Sequence, residues 1–121
     1  MILNDILRTR DVYLITGYTD LRKSIDGLAI KALESFDLNP LEMKDVAFMY
    51  CGKNTSKIKV LIFEDDGFLL LYKRLDNGKF KWPRNTEEAK LLTKDQIAWL
   101  LQGLSIEQKT SIGKSYVKYL Y

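Results

Sequence analysis

The sequence predicts a single α+β domain, an antiparallel β-meander covered by a helix, with a second, C-terminal helix. Three observations carry this. Apolar residues recur at three- and four-residue spacing from Leu21 to Phe36, alternate with period two from Val46 to Trp82, and return to helical spacing after Thr93. Asp66-Gly67 and Asn77-Gly78 interrupt the alternating stretch, as two-residue hairpin turns do, because both central positions of such a turn must accept positive φ. The 121 residues, 46% of them hydrophobic and 29% charged, suit one globular domain. A chain of this length buries roughly two-thirds of its unfolded surface and needs no disulfide or metal to fold.

Taken in order, Val12-Tyr13-Leu14-Ile15 is rich in strand formers, ends before Gly17, and is expected at a sheet edge. Asp20 is placed to cap a helix, since its carboxylate can accept from orphan amides of a first turn. Leu21, Ile25, Leu28, Ala29, Ala32 and Phe36 form one stripe of that helix, and Asn39-Pro40 closes it. Gly27 inside it costs roughly 1 kcal/mol relative to alanine, which points to a close packing contact. Strands follow at 46–51, 57–64, 68–75 and 79–82, with a polar loop at 52–56. Thr93 and Gln96 form a capping box before the stripe of Ile97, Leu100, Leu101 and Leu104, and Gly103 suits its end. The domain is read as residues 1–121. Its tail, 105–121, is mixed, and Tyr116, Val117, Tyr119, Leu120 and Tyr121 could pack on the body or on another chain.

If both hairpins have two-residue turns, Leu75 faces Phe80, Arg74 faces Lys81 and Lys59 faces Arg74. One sheet face then collects Ile58, Val60, Ile62, Leu69, Leu71, Leu75, Phe80 and Trp82 for the helix to cover. The other collects Lys57, Lys59, Leu61, Phe63, Leu70, Tyr72, Arg74, Lys79 and Lys81. Like charges opposed across strands repel, so five cations interleaved with aromatics form a surface that a polyanion relieves. Lys73 falls on the apolar side, so either it reaches out at the sheet margin or the register is off by one.

The formal charge of +3 and pI near 8.9 are compatible with nucleic acid without demanding it. The absence of histidine removes every Ser-His or Cys-His catalytic arrangement and the commonest metal ligand. Cys51 is the sole cysteine, so no intramolecular disulfide or cysteine-rich zinc module can form, and a thiol without a histidine is expected to be inert. No run approaches the roughly 18 apolar residues of a membrane span. The first eight residues lack the pattern of a secretory signal, and a cytoplasmic location is expected. Gly113-Lys114-Ser115 mimics the end of a phosphate-binding loop, but position 108 is Gln where glycine is required. Glu64-Asp65-Asp66 reads as a solvated turn rather than a cation site, and Asp20 with Asp26 as cap and exposed helix residue rather than an acid–base pair. Gly67-Phe68 with Tyr72 matches an RNA-recognition signature too poorly to count. Neither cofactor nor metal is expected.

Three segments together resemble a known family. They are Val12-Tyr13-Leu14 running to Thr19-Asp20-Leu21-Arg22-Lys23-Ser24-Ile25-Asp26-Gly27-Leu28; Asp66-Gly67 through Tyr72-Lys73-Arg74-Leu75, Gly78, Phe80 and Trp82-Pro83; and Leu92-Thr93 to Leu104. Over residues 12–104 they resemble the small accessory protein, called Orf-two or TnpB, of insertion-sequence-sixty-six-type bacterial transposons. Phe63-Glu64-Asp65 departs from the family's aromatic-Asp-Gly run and makes the turn more acidic. The resemblance implies a non-catalytic accessory for transposition, encoded beside a transposase that carries the acidic active site on a different chain. The partners it implies are that transposase and the other accessory protein of the element. DNA joins them if the basic face binds nucleic acid, whereas membranes and small-molecule substrates are not expected. Arg22 and Lys23 lie in the family motif and join Lys57, Lys59, Tyr72, Lys73, Arg74, Lys79 and Lys81 as candidate nucleic-acid contacts. The alternative is a protein–protein adaptor that docks on the transposase through the tail or the Trp82 region.

Overall fold

The computed structural model describes residues 1–84 and 89–108, so Gly113 to Ser115 and the aromatic tail lie outside the described residues. The elements in chain order are α1 (Ile2–Leu7), β1 (Val12–Ile15), α2 (Ile25–Phe36), a 3-10 turn (Pro40–Glu42), β2 (Ala47–Cys51), β3 (Lys57–Phe63), β4 (Phe68–Arg74), β5 (Ala89–Leu91) and α3 (Lys94–Leu101). The fold is α+β, built on one five-stranded mixed sheet in the order β4-β3-β2-β1-β5. The expected meander exists as β2-β3-β4.

The helix α2 connects β1 to β2, and those strands run parallel with Val12 opposite Ala47 and Leu14 opposite Met49. Parallel neighbours require a crossover connection, and α2 supplies it. β1 is therefore an interior strand. Its outer neighbour is β5, whose three residues are too few to carry a period. All five residues of β2 are buried, as befits a central strand covered on both faces.

Two cores result. On one face Leu28 and Ala32 of α2 pack with Ile15, Phe48, Tyr50 and Leu61, and the Tyr50 hydroxyl donates to the Leu28 carbonyl at 2.8 Å. On the other, Ile58, Val60 and Ile62 lie under Leu3 and Leu7 of α1, Ile97, Leu100 and Leu101 of α3, and Phe80 and Trp82. This corrects the expected layering. The α2 helix covers the face that carries Leu61 and Leu70, and the Ile58 face is closed by α1 and α3. The strand β2 is apolar on both sides, and so is β3 from Val60 onward, so strand alternation alone did not select the helix that would cover each face.

The turns bring two further corrections. Gly67 does not take a positive φ, so Asp66-Gly67 is no two-residue hairpin. The last strand pair is Phe63 with Phe68, and the Glu64 amide donates to the Gly67 carbonyl at 2.7 Å. Lys59 consequently faces Tyr72, and Lys57 faces Arg74. The slip is two residues, an even number, so each side chain of β3 and β4 keeps its expected face. Gly78 does take positive φ, at 82°, but the turn leads out of the sheet. Residues 79–82 form no strand. The Phe80 amide donates to the Thr55 carbonyl at 2.8 Å, and the Trp82 indole donates to the Ile15 carbonyl at 2.9 Å. Burying Phe80 and Trp82 in the core stabilises this route over an edge hairpin, where a last strand exposes more of its side chains. Leu75 with Phe80 and Arg74 with Lys81 are therefore not strand pairs.

Helix ends follow local chemistry. Thr93 and Gln96 make the full capping box of α3. Ser24, not Asp20, caps α2, with its hydroxyl accepting from the Gly27 amide. The helix stops at Asp37 in the left-handed conformation, before Asn39-Pro40 is reached. A Cβ on Gly27 would meet the Lys23 stem at 3.2 Å, so the close contact there is with its own chain. Among the described residues no helix is long and apolar enough to cross a membrane.

Candidate nucleic-acid interface

The α2 helix covers only part of its sheet face. Beyond it, Lys57, Lys59, Tyr72 and Arg74 remain together at the end where β3 begins and β4 finishes. The Asp20–Lys23 turn rises beside them. There the Asp20 carboxylate accepts from the Arg22 amide at 3.0 Å and from its guanidinium at 3.0 and 2.9 Å. These bonds hold the Asp20 carboxyl at about 2, well below the usual carboxylate range. Arg22 and Lys23 immediately precede Ser24, the N-cap of α2, and so lie outside its first turn. Leu21 closes onto Gly52, where a Cβ would meet its side chain at 3.2 Å, and the Lys59 ammonium donates to the Leu21 carbonyl.

Between sheet and turn runs an open groove of about 870 Å³, lined by Tyr18, Thr19, Asp20, Leu21, Arg22, Gly52, Lys53, Asn54, Lys57, Lys59, Leu70 and Tyr72. Tyr18 is further held by Arg84, whose guanidinium lies 5.1 Å from its ring centre. Thr19 is 2% exposed, and its hydroxyl has no hydrogen-bond partner among the described residues.

Not every expected contact residue joins this groove. Lys73 lies opposite Ile58, on the far face, at a hollow beside Ile2 and Ile6. Lys79 and Lys81 leave the sheet with the 79–84 segment and border a separate hollow with Thr55, Arg84 and Glu107. The five-cation face is therefore split, because the second hairpin on which it depended does not form. Tyr18, Leu21, Lys53 and Asn54 enter the site unforeseen. Their signal was the position of two loops, 17–23 and 52–56, after strands that prove to be parallel neighbours.

The remaining reactive groups are occupied or shielded. Burial pushes the Cys51 thiol up to about 12. Asp65 pairs with Lys44, and among the described residues no three His, Cys, Asp or Glu side chains group to hold a metal. Trp82 is 5% exposed, with its indole spent on Ile15, which removes it as a surface contact.

A family model described as IS66 Orf2 like protein matches residues 10–111. The chain belongs to the IS66 Orf2-like family. The match contains the whole described sheet and every groove residue, and it runs past Leu104. The chain is also 36% identical over 93 residues to the uncharacterized protein y4hO of Sinorhizobium fredii (strain NBRC 101917 / NGR234), across 77% of this chain and 79% of that one. No solved structure matches it.

Proposed function

We propose that this IS66 Orf2-like protein serves transposition as a non-catalytic accessory that binds nucleic acid through the half-open sheet face. One observation carries the reading: Arg22, Lys53, Lys57 and Lys59 meet around a single open groove floored by apolar side chains. A cationic rim gains affinity by displacing the counterions of a polyanion. The chemistry of the chain agrees, with no histidine and a buried, protonated cysteine. The partners of such an accessory are the element's DNA and the transposase. The test is a titration of a labelled oligonucleotide from an element end at several salt concentrations. Affinity falls as salt rises, with a log–log slope of about −0.9 per neutralised phosphate on duplex and about −0.7 on single strands. Absent or salt-independent binding would overturn the reading.

A second reading, as an adaptor on the transposase, is favoured by a different region. Ile2 is 80% exposed and Met1 60%, both beside an apolar hollow along β4, whose outer edge has no strand neighbour among the described residues. Unpaired edges accept strands from other chains. In this reading, capture of the element's transposase survives nuclease treatment and is lost in Ile2→Asp. Capture that disappears with nuclease counts against it.

A further inference from the structure

We infer that the groove takes an unpaired nucleotide of a single-stranded segment, its base lying on Tyr72 and its phosphate among the cations of the rim. The inference rests on the nucleic-acid reading above and narrows it to one substrate class.

The lining has two characters. Leu21, Leu70 and Tyr72 offer apolar and aromatic surface, while Lys53 and Lys57 stand at the rim. A duplex presents phosphates and base edges to a protein, and gives an apolar floor nothing to cover it. An unstacked base has a π-face that covers such a floor. The volume of about 870 Å³ is within the roughly 300–1,000 Å³ of small-ligand sites, which suits one nucleotide and not a helix.

Of the two aromatic rings in the groove, Tyr18 is engaged by Arg84, and Tyr72 is the platform on the sheet. Elsewhere on this face Tyr13 stacks on Phe48 and Phe63 packs on Phe68, whereas Tyr72 is 55% exposed on a rigid strand. The cations divide in the same way. Lys59 is held by Leu21 and Arg22 by Asp20, so both shape the rim. Lys53 and Lys57 show no ion pair among the described residues. The bidentate Arg22 bonds neutralise Asp20, the one carboxylate that lines the groove among the described residues. Finally, the groove lies just beyond the carboxyl ends of β1 and β2, where the 17–23 and 52–56 loops bring Leu21, Arg22, Lys53 and Asn54 together.

The experiment compares a fluorescent single strand with its duplex at one salt concentration, using the full chain, Tyr72→Ala and Tyr72→Phe, each checked for folding by circular dichroism. The single strand binds the wild type more tightly. Tyr72→Ala weakens single-strand binding about 5- to 150-fold, the factor that corresponds to one lost base–aromatic stack. It leaves duplex binding unchanged, and Tyr72→Phe restores the single-strand affinity. Equal affinity for both forms, or a Tyr72→Ala variant that binds the single strand normally, overturns the stacked nucleotide while the broader reading stands. Failure of the wild type to bind either form overturns both.

Discussion

The two faces of the sheet share the same strands and end differently. Under one face α1, α3 and the 79–84 segment close over the apolar strands, with hollows at their margins beside Ile2 and beside Lys79, and Phe80 and Trp82 seal the end that a hairpin would have exposed. Over the other, α2 is a crossover tied to β1 and β2, so it shelters Phe48, Tyr50 and Leu61 and leaves the ends of β3 and β4 bare. The contrast teaches that the exposed cations are a consequence of connectivity. Here the helix that links the parallel neighbours reaches Leu61 and Leu70 but stops short of the start of β3 and the finish of β4, and the uncovered strip is where Lys57, Lys59, Tyr72 and Arg74 stand.

The sealed face gives the largest expected effect. Trp82→Ala removes a side chain that is 5% exposed and its bond to Ile15, and should cost about 3–5 kcal/mol in urea unfolding, as large-to-small aromatic changes do. A loss below about 1 kcal/mol would mean that the 79–84 segment does not seal the core and that the contrast between the faces is wrong. Tyr50→Phe probes the α2 face more gently. It deletes the hydroxyl that ties β2 to Leu28, a single buried hydrogen bond worth about 1 kcal/mol. The folded variant should keep wild-type affinity for oligonucleotide in a salt titration, since Tyr50 lies under the helix and not in the groove.

Much of this was legible in the sequence. Val12–Ile15, the β2-β3-β4 meander, the stripe of α2 and the Thr93–Gln96 capping box each follow from a local signal of period or cap. The basic strip was half legible, because an even register slip preserves faces and kept Lys57, Lys59, Tyr72 and Arg74 together. Lys79 and Lys81 were misplaced because Asn77-Gly78 specifies a turn and not the destination of the chain after it. That destination depends on where Phe80 and Trp82 find a core, which is a tertiary matter. The helix α1 was missed for a related reason. Its six residues have no side-chain cap, and their order comes from Leu3 and Leu7 packing in the core. Asp20 was read as the cap of α2, a place that Ser24 takes, and its carboxylate is instead spent on Arg22.

The central claim, that the strip left bare by α2 is the binding surface, is tested most directly by two double variants. Lys53→Gln with Lys57→Gln removes the two rim cations that have no ion pair among the described residues. Lys79→Gln with Lys81→Gln removes the two that the 79–84 segment carries away from the groove. In a salt titration with a single-stranded oligonucleotide, the first pair should flatten the log–log slope by about 1.4, two phosphates at about 0.7 each, and the second should leave it unchanged. Flattening by the Lys79 and Lys81 pair alone, or equally by both, would contradict the account.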